Sequence, residues 1–253
     1  MLAQRLEFIV EQLERNGSVE VSALSKLCGV TEKTIRQDLI KLEQLKIAVR
    51  VHGGAMLLKG GNEIYPVVTR KVRHADEKQK IARAALELIE EGDTIFLDTG
   101  TTTLELAKIL NKRVIVITND PFIAGELLNN ELVTLYVAGG RLKRDRGSYA
   151  YVGQDTLRTI QNYRAKKCFL GGSAFDFEQG LMMFSTDEVD VKRAIMKAAQ
   201  EVICMIDASK FHQIAFVSYA RLEEIDHFVT DDRIGAQDVA WLKERGVKVT
   251  VAK

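Results

Sequence analysis

Beyond residue 90 the sequence holds five short polar strings whose residues could grip an anion or move a proton. Asp98-Thr99-Gly100-Thr101-Thr102-Thr103 is the densest. Small hydroxyl residues around a glycine at a helix start offer N–H and O–H donors to an anion, and the helix dipole favours the same charge. Thr118-Asn119-Asp120 precedes Pro121, a residue suited to the first turn of a helix. Gly139-Gly140-Arg141 allows close backbone approach and adds a guanidinium that forks onto carboxylate or phosphate. Gly171-Gly172-Ser173 and Asp207-Ala208-Ser209-Lys210 complete the set. Taken singly, each reads as a turn, a helix cap or a surface ion pair worth ~0–1 kcal/mol.

What makes them a set is the element each one follows. Apolar runs at Thr94–Leu97, Val114–Thr118, Val133–Ala138, Cys168–Leu170 and Val202–Ile206 lead into the five strings, and His227–Thr230 and Val247–Val251 continue the series. Helical spacing fills several gaps, as at Leu104, Ala107 and Leu110, and a helix over 76–91 leads in with Ile81, Ala82, Ala85, Leu88 and Ile89 inward. Strands alternating with helices predict a mainly parallel, buried sheet. Ligands of such sheets bind at the carboxyl ends of the strands, where these strings fall. Converging donors with Arg and Lys point to a small anionic ligand. Neither G-x-x-x-x-G-K-[ST] nor G-x-G-x-x-G is present, so the common nucleotide loops are excluded.

The first sixty residues carry a different chemistry. Leu2, Leu6, Ile9 and Leu13 make one helical stripe, stopped by Asn16-Gly17. A short second helix is expected with Ser22 as its cap and Leu24 and Leu27 inward; Cys28-Gly29-Val30 breaks it. Thr31 then caps a third helix with Ile35, Leu39 and Leu42 buried and Lys33, Arg36 and Gln37 outward. Ile47–Leu57, two apolar stretches about Gly53-Gly54, reads as a hairpin wing offering Arg50 and His52. Helix, glycine turn, helix and wing in that order predict a DNA reader. Arg36 and Gln37 suit guanine and adenine edges; Thr31, Lys33 and Thr34 suit phosphate. From Thr31 to Lys59 there are six basic residues against three acidic, a local excess suited to a polyanion.

With 253 residues, 46% hydrophobic, 28% charged and a net charge of +1, the chain has the composition of a soluble globular protein. The start Met1–Arg5 lacks the pattern of a signal peptide, and no apolar run approaches bilayer length; a cytoplasmic protein is expected. Cys28, Cys168 and Cys204 are odd in number and widely spaced, which reads as reduced thiols. Cys28 and His52 lack metal-ligand company, so neither metal nor cofactor is expected.

Residues Gly29 to Leu39 and Arg50-Val51-His52-Gly53-Gly54-Ala55 resemble the DNA-binding domain of the DeoR family of sugar-operon regulators. Gln37 replaces an arginine usual in that family, and Lys46 a glycine. The remainder resembles the family's sensor domain through Glu77-Lys78, Asp98 to Thr102, Thr118-Asn119, Gly139-Gly140-Arg141, Glu188 with Val191-Lys192-Arg193, and Asp207 to Phe211. Lys166 and the apolar Met182-Met183-Phe184 depart from it and are read as marks of an unusual effector.

The resemblance implies a winged helix-turn-helix at 1–58, a linker at 59–75 centred on Lys59-Gly60-Gly61-Asn62, and an α/β sensor at 76–253. The implied sensor fold is Rossmann-like, of the ribose-5-phosphate isomerase type. It implies operator DNA and a phosphorylated sugar as partners, in a homodimer or homotetramer. It further implies phosphate on Gly100, Thr101 and Thr102, with Asp98, Asn119, Arg141, Glu188 and Lys210 around the sugar. Gly140, Lys192 and Asp207 join this effector set from the same strings. The competing reading is a sugar-phosphate isomerase or deaminase with an added DNA-binding module, since Asp98, Glu188, Lys192, Asp207 and Lys210 include acid–base groups.

Overall fold

Leu6, Ile9 and Leu13 share one face of helix α1 (Leu2–Asn16), and that face is buried. The structure, a computed structural model, describes residues 2–44, 47–57, 70, 73–144 and 148–253; Lys46, most of the expected linker and the side chain of Leu2 lie outside the described residues. The chain divides into two compact units, Met1–Ala75 and Asp76–Lys253.

In the first unit α1 is followed by β1 (Ser18–Glu20), α2 (Val21–Cys28), α3 (Glu32–Gln44), β2 (Ala48–Val51) and β3 (Gly54–Leu57). The three strands form an antiparallel sheet in the order β1-β3-β2, so the wing has a strand, β1, that the sequence patterning did not reveal. Leu24, Ile35, Leu39 and Leu42 pack with the α1 stripe and with Ala48 and Ala55 of the wing.

Two expectations for α2 fail for identifiable reasons. Ser22 is not its cap: the helix starts at Val21 after Glu20, which makes no side-chain cap, and the Gly53 carbonyl of the wing turn accepts the Val21 N–H at 2.9 Å. Leu27 is 64% exposed rather than inward. The inward stripe runs Val21, Leu24 and the half-buried Cys28, following the helical period, and Cys28 packs on the core in its place.

Gly29 closes α2 in the left-handed region, φ 63°, where a side chain would meet nothing but its own backbone. Gly29→Ala is therefore expected to destabilise this unit by about 1 kcal/mol through backbone strain alone. A thermal melt matching that of the unmodified protein would count against the turn as described.

The second unit opens with α4 (Ala75–Leu86), which ends five residues before the expected Glu91. Leu88 and Ile89 donate instead to the carbonyls of Ala85 and Leu86, a tighter turn that keeps Ile89 buried. Then follow β4 (Thr94–Leu97), α5 (Thr101–Ile109), β5 (Val114–Thr118), α6 (Pro121–Leu127), β6 (Val133–Val137), β7 (Arg141–Arg144), β8 (Tyr149–Val152), α7 (Gln154–Gln161) and β9 (Ala165–Gly171). The chain continues through β10 (Ala174–Asp176), β11 (Gly180–Met183), a 3-10 turn at Thr186–Glu188, α8 (Val189–Ala198) and β12 (Ala199–Met205). It ends with β13 (Val217–Ala220), β14 (His227–Asp231), α9 (Ala236–Glu244) and β15 (Lys248–Ala252).

All seven expected strands join one parallel sheet in the order β15-β14-β12-β9-β4-β5-β6. Ile95 and Leu97 of β4 face the helices that carry Ile81, Leu104 and Ile123, while Phe96 faces the opposite layer with Ile160, Ile195 and Leu242. The winding reverses between β4 and β9: β5 and β6 extend one way, β12, β14 and β15 the other. In open α/β sheets that reversal opens a crevice at the carboxyl ends of the two central strands. The antiparallel hairpin β7–β8 and the small sheet β10-β11-β13 were not expected.

Two departures from the family pattern take different places in the fold. Lys166 lies near the start of β9, at the opposite end of the strand from the crevice, and pairs with Glu90 and, at 2.9 Å, with Asp93. Met182 and Met183 are buried in β11, where Met183 joins the core.

Candidate functional site

The first unit presents the outer face of α3. Thr31 caps it, its Oγ1 accepting the Thr34 N–H at 3.3 Å. Lys33, Arg36 and Gln37 are exposed, and Thr34 is half-buried. Arg36 donates to Glu32 one turn back at 2.6 Å, with both side chains about half exposed, so the pair is readily exchanged for another anion. On the wing, Arg50 reaches back to α3 instead of outward. Its Nε donates to Glu43 at 2.6 Å and its N–H to the other carboxylate oxygen at 3.1 Å. Those bonds hold the Glu43 carboxyl below its ordinary pKa. His52 is exposed in the wing turn.

Asp38 shows what sequence counting missed. It is buried and accepts from Arg5 of α1 at 2.6 Å. Its charge is matched inside the fold and does not oppose the basic face; only a buried, charged position on the apolar stripe hinted at this.

The second unit builds its site around the β4–β9 crevice. Asp98, just past β4, is fully buried and accepts from Lys192 of α8 and from the Gly171 N–H at 3.1 Å. Lys192 also donates to the Gly171 carbonyl at 3.3 Å and stands 5.2 Å from the centre of the Tyr219 ring. Tyr219 donates to that carbonyl at 2.7 Å. Burial holds the Asp98 carboxyl above its ordinary value despite the neighbouring ammonium.

A second buried pair lies beside it. Glu188 accepts from Thr99 at 2.9 Å, from Lys143 at 2.8 Å and from Ser148. Burial alone would raise its pKa, but Lys192, Lys143 and these hydrogen bonds together hold it below the ordinary carboxylate value.

Between these groups starts α5. Gly100 gives it no side-chain cap, and the first-turn N–H groups of Thr101, Thr102 and Thr103 lack intrahelical partners. The Thr101 and Thr102 side chains are buried, so an anion placed here would be shielded from water. At the end of β5, Asn119 donates to the Tyr151 carbonyl at 3.1 Å, and its buried Oδ1 accepts from no described group. Asp120 caps α6, with Oδ1 accepting from Phe122 at 2.7 Å and Ile123 at 3.2 Å.

The structure thus brings together Asp98, Gly100, Thr101, Thr102, Asn119, Glu188 and Lys192. Arg141 is placed differently, 67% exposed and 3.8 Å from Asp187. Among the described residues, that hairpin contributes Lys143 as a buried cation, invisible to sequence reading because the hairpin itself was not recognised. Gly140 serves packing: with φ 152°, a Cβ there would stand 2.4 Å from the Thr156 hydroxyl. Asp207 and Lys210 mark the end of β12, where Asp207 accepts from the Ser209 N–H at 3.1 Å. Asp231 of the adjoining strand accepts the Ala208 N–H at 2.7 Å.

Comparison with known proteins bears on both units. Residues 5–60 match the DeoR-like helix-turn-helix domain, and residues 73–232 match the DeoR C terminal sensor domain. The chain belongs to the DeoR family. This DeoR-family regulator is 36% identical over 98% of its length, and 93% of the relative's, to an Escherichia coli protein that carries the name of an aga operon transcriptional repressor. It is 34% identical to the glycerol-3-phosphate regulon repressor of Escherichia coli, covering 90% of each chain. To the transcriptional repressor GlcR of Bacillus subtilis it is 32% identical, covering 99% of this chain and 96% of that one. Among solved structures, ribose 5-phosphate isomerase A of Methanocaldococcus jannaschii aligns with a TM-score of 0.40 at 19% identity, covering 55% of each chain. The regulator's DNA-binding role thus rests on its head and its family. No helix among the described residues is long and apolar enough to cross a membrane.

Proposed function

We propose that this chain represses a carbohydrate-utilisation operon and that a phosphorylated sugar bound in its second unit controls its grip on operator DNA. The observation that carries the reading is the uncapped start of α5, set between the buried pairs Asp98–Lys192 and Glu188–Lys143 at the sheet's reversal point. Amides and threonine hydroxyls would take the phosphate, and Asn119 Oδ1 a sugar hydroxyl. A relative named for the glycerol-3-phosphate regulon supports a phosphorylated effector. Thr31, Lys33, Thr34, Arg36 and Gln37 would contact the operator, with His52 on its backbone and Arg50 joining it by exchanging the exposed Glu43 carboxylate for a phosphate. Two heads on adjacent half-sites favour a homodimer or homotetramer working in the cytoplasm. The chain acts by binding rather than turnover.

A thermal-shift screen of sugar phosphates, glycerol 3-phosphate included, tests this, because a ligand of the folded state alone raises the melting temperature. The ligand found should then change operator affinity, and purified protein should not turn over ribose 5-phosphate or glucosamine 6-phosphate. Thr101→Val, nearly isosteric, is expected to lower effector affinity by about 10- to 100-fold while leaving effector-free operator binding intact. A normal response from this variant in an operator-release assay would move the phosphate site elsewhere.

A further inference from the structure

Asp120 has two carboxylate oxygens, and capping α6 uses one. Oδ1 takes both first-turn amides, Phe122 and Ile123, while Oδ2 turns the other way and accepts the Gly100 N–H at 3.3 Å. One buried side chain therefore serves the starts of two helices, α6 and α5. The second is the helix whose own first residue brings no cap, and whose start the proposed function assigns to the effector's phosphate.

We propose that Asp120 is a built-in competitor for the effector's anionic group: its Oδ2 holds the Gly100 amide that the anion needs, so binding requires the carboxylate to move off or to take up a proton. This rests on the reading of the α5 start as the anion site. A dianion and a carboxylate sharing one buried donor set repel each other, as two carboxylates in one site do. Burial, opposed by three backbone amides and aided by Asp98, already raises the Asp120 carboxyl to about 6. A bound anion would raise it further.

Among the described residues, the elements packed around Asp120 offer no cation that a carboxylate does not already hold. Helix α6 packs on α5, β6 and β8. The ionisable groups of α5 are Glu105 and Lys108, which bond to each other. β6 contributes only Tyr136, and β8 only Tyr149 and Tyr151. Glu126 lies on α6 itself. From beyond the end of β4 comes Asp98, already held by Lys192, while Glu188 holds Lys143. Asn119, next in sequence and buried with an unpartnered Oδ1, is a second acceptor at this strand end awaiting a donor. The site thus sets the acceptors Asp120 Oδ2 and Asn119 Oδ1 beside the amide donors of α5, and its ligand must bring hydroxyl hydrogens for Asn119 as well as charge for α5.

The direction with pH follows. Above the bound-state pKa no proton is taken up. Between that value and about 6 each bound anion takes up one proton, so affinity rises up to about tenfold for each unit the pH falls; below about 6 the dependence flattens. Sugar phosphates lose charge near the same pH, so sulfate, which keeps both charges, is the clean probe.

Sulfate and inorganic phosphate are titrated calorimetrically into the full-length protein between about pH 8 and about pH 5.5. The expected result is that wild-type affinity for sulfate tightens on acidification. Asp120→Asn, which keeps a capping oxygen for α6, should bind sulfate about tenfold or more tightly at the alkaline end and lose the pH dependence. Asp120→Ser, which caps α6 but is too short to reach Gly100, should behave likewise. If sulfate binding is lost in Thr101→Val, yet wild type and both Asp120 variants share one affinity and one pH profile, the competitor role is overturned and the anion site stands. If neither probe binds any form, or Thr101→Val binds like wild type, the site assignment falls and the competitor role with it. Should both variants fail to fold, a flat wild-type sulfate profile overturns the proposal alone.

Discussion

Arg36→Ala is expected to weaken operator binding by about 10- to 100-fold, the value of a forked Arg–guanine contact of roughly 1–3 kcal/mol. Arg36 is exposed on the outer face of α3, so its removal leaves the packing of Ile35, Leu39 and Leu42 untouched and the effect is one of recognition. Its pairing with Glu32 is solvent-exposed and costs ~0–1 kcal/mol to give up. Arg36→Lys separates two roles. A lysine keeps the charge but loses the fork, so it should recover non-specific, salt-dependent affinity while the preference for operator stays low. Fluorescence anisotropy with operator and scrambled duplexes at several salt concentrations reads both quantities. Unchanged affinity and selectivity in Arg36→Ala would remove α3 as the reading element.

That α3 could be read from sequence, whereas part of the sensor site could not, reflects how far apart the interacting residues lie. The stripe Ile35, Leu39, Leu42 and the cap Thr31 are local features, and a helical period exposes them directly. The seven parallel strands were legible for a related reason: each is a short apolar run, and the inner ones are buried on both faces. The strand β1 was not, because Ser18–Glu20 is three residues whose only structural reason is a partner at Gly54–Met56. The same holds inside the site. Asp98, Gly100 and Thr101 stand at a strand end where chemistry is expected, but the pairing of Glu188 with Lys143 spans a hairpin that no periodicity announces. Asp120 was visible as a helix cap before Pro121; its second bond, to Gly100, depends on two helices starting side by side. Arg141 and Lys143 show the cost of reading one string at a time: two residues apart on one strand, one is in solvent and the other buried against a carboxylate.

Lys192→Met is expected to be the most destabilising of the changes considered, by about 3–5 kcal/mol, because it leaves a fully buried carboxylate without its cation. For a unit of this size that lowers the melting temperature by about 2–4 °C per kcal/mol. Asp98 would keep the Gly171 N–H, but one neutral donor does not replace an ammonium. Removing both charges is a milder change. Asp98→Asn with Lys192→Met should be more stable than Lys192→Met alone, a non-additivity that a double-mutant cycle measures.

The dependence on pH distinguishes lost charge pairing from lost packing. Burial already holds the Asp98 carboxyl above its ordinary value, and without Lys192 it rises further. A carboxyl with a raised folded pKa costs stability at neutral pH and returns it as the pH falls through that pKa, since the folded state then binds the extra proton. The deficit of Lys192→Met relative to wild type should therefore shrink on acidification, whereas a packing defect would not respond. Denaturant melts at neutral and mildly acidic pH decide the matter; a deficit below about 1 kcal/mol, or one constant with pH, would mean the pair is not the tie holding the ends of β4 and β9 together. If the tie is real, the same variant should also lose anion binding at α5, because Gly171, which Asp98 and Lys192 both engage, lies directly against Thr99 and Gly100.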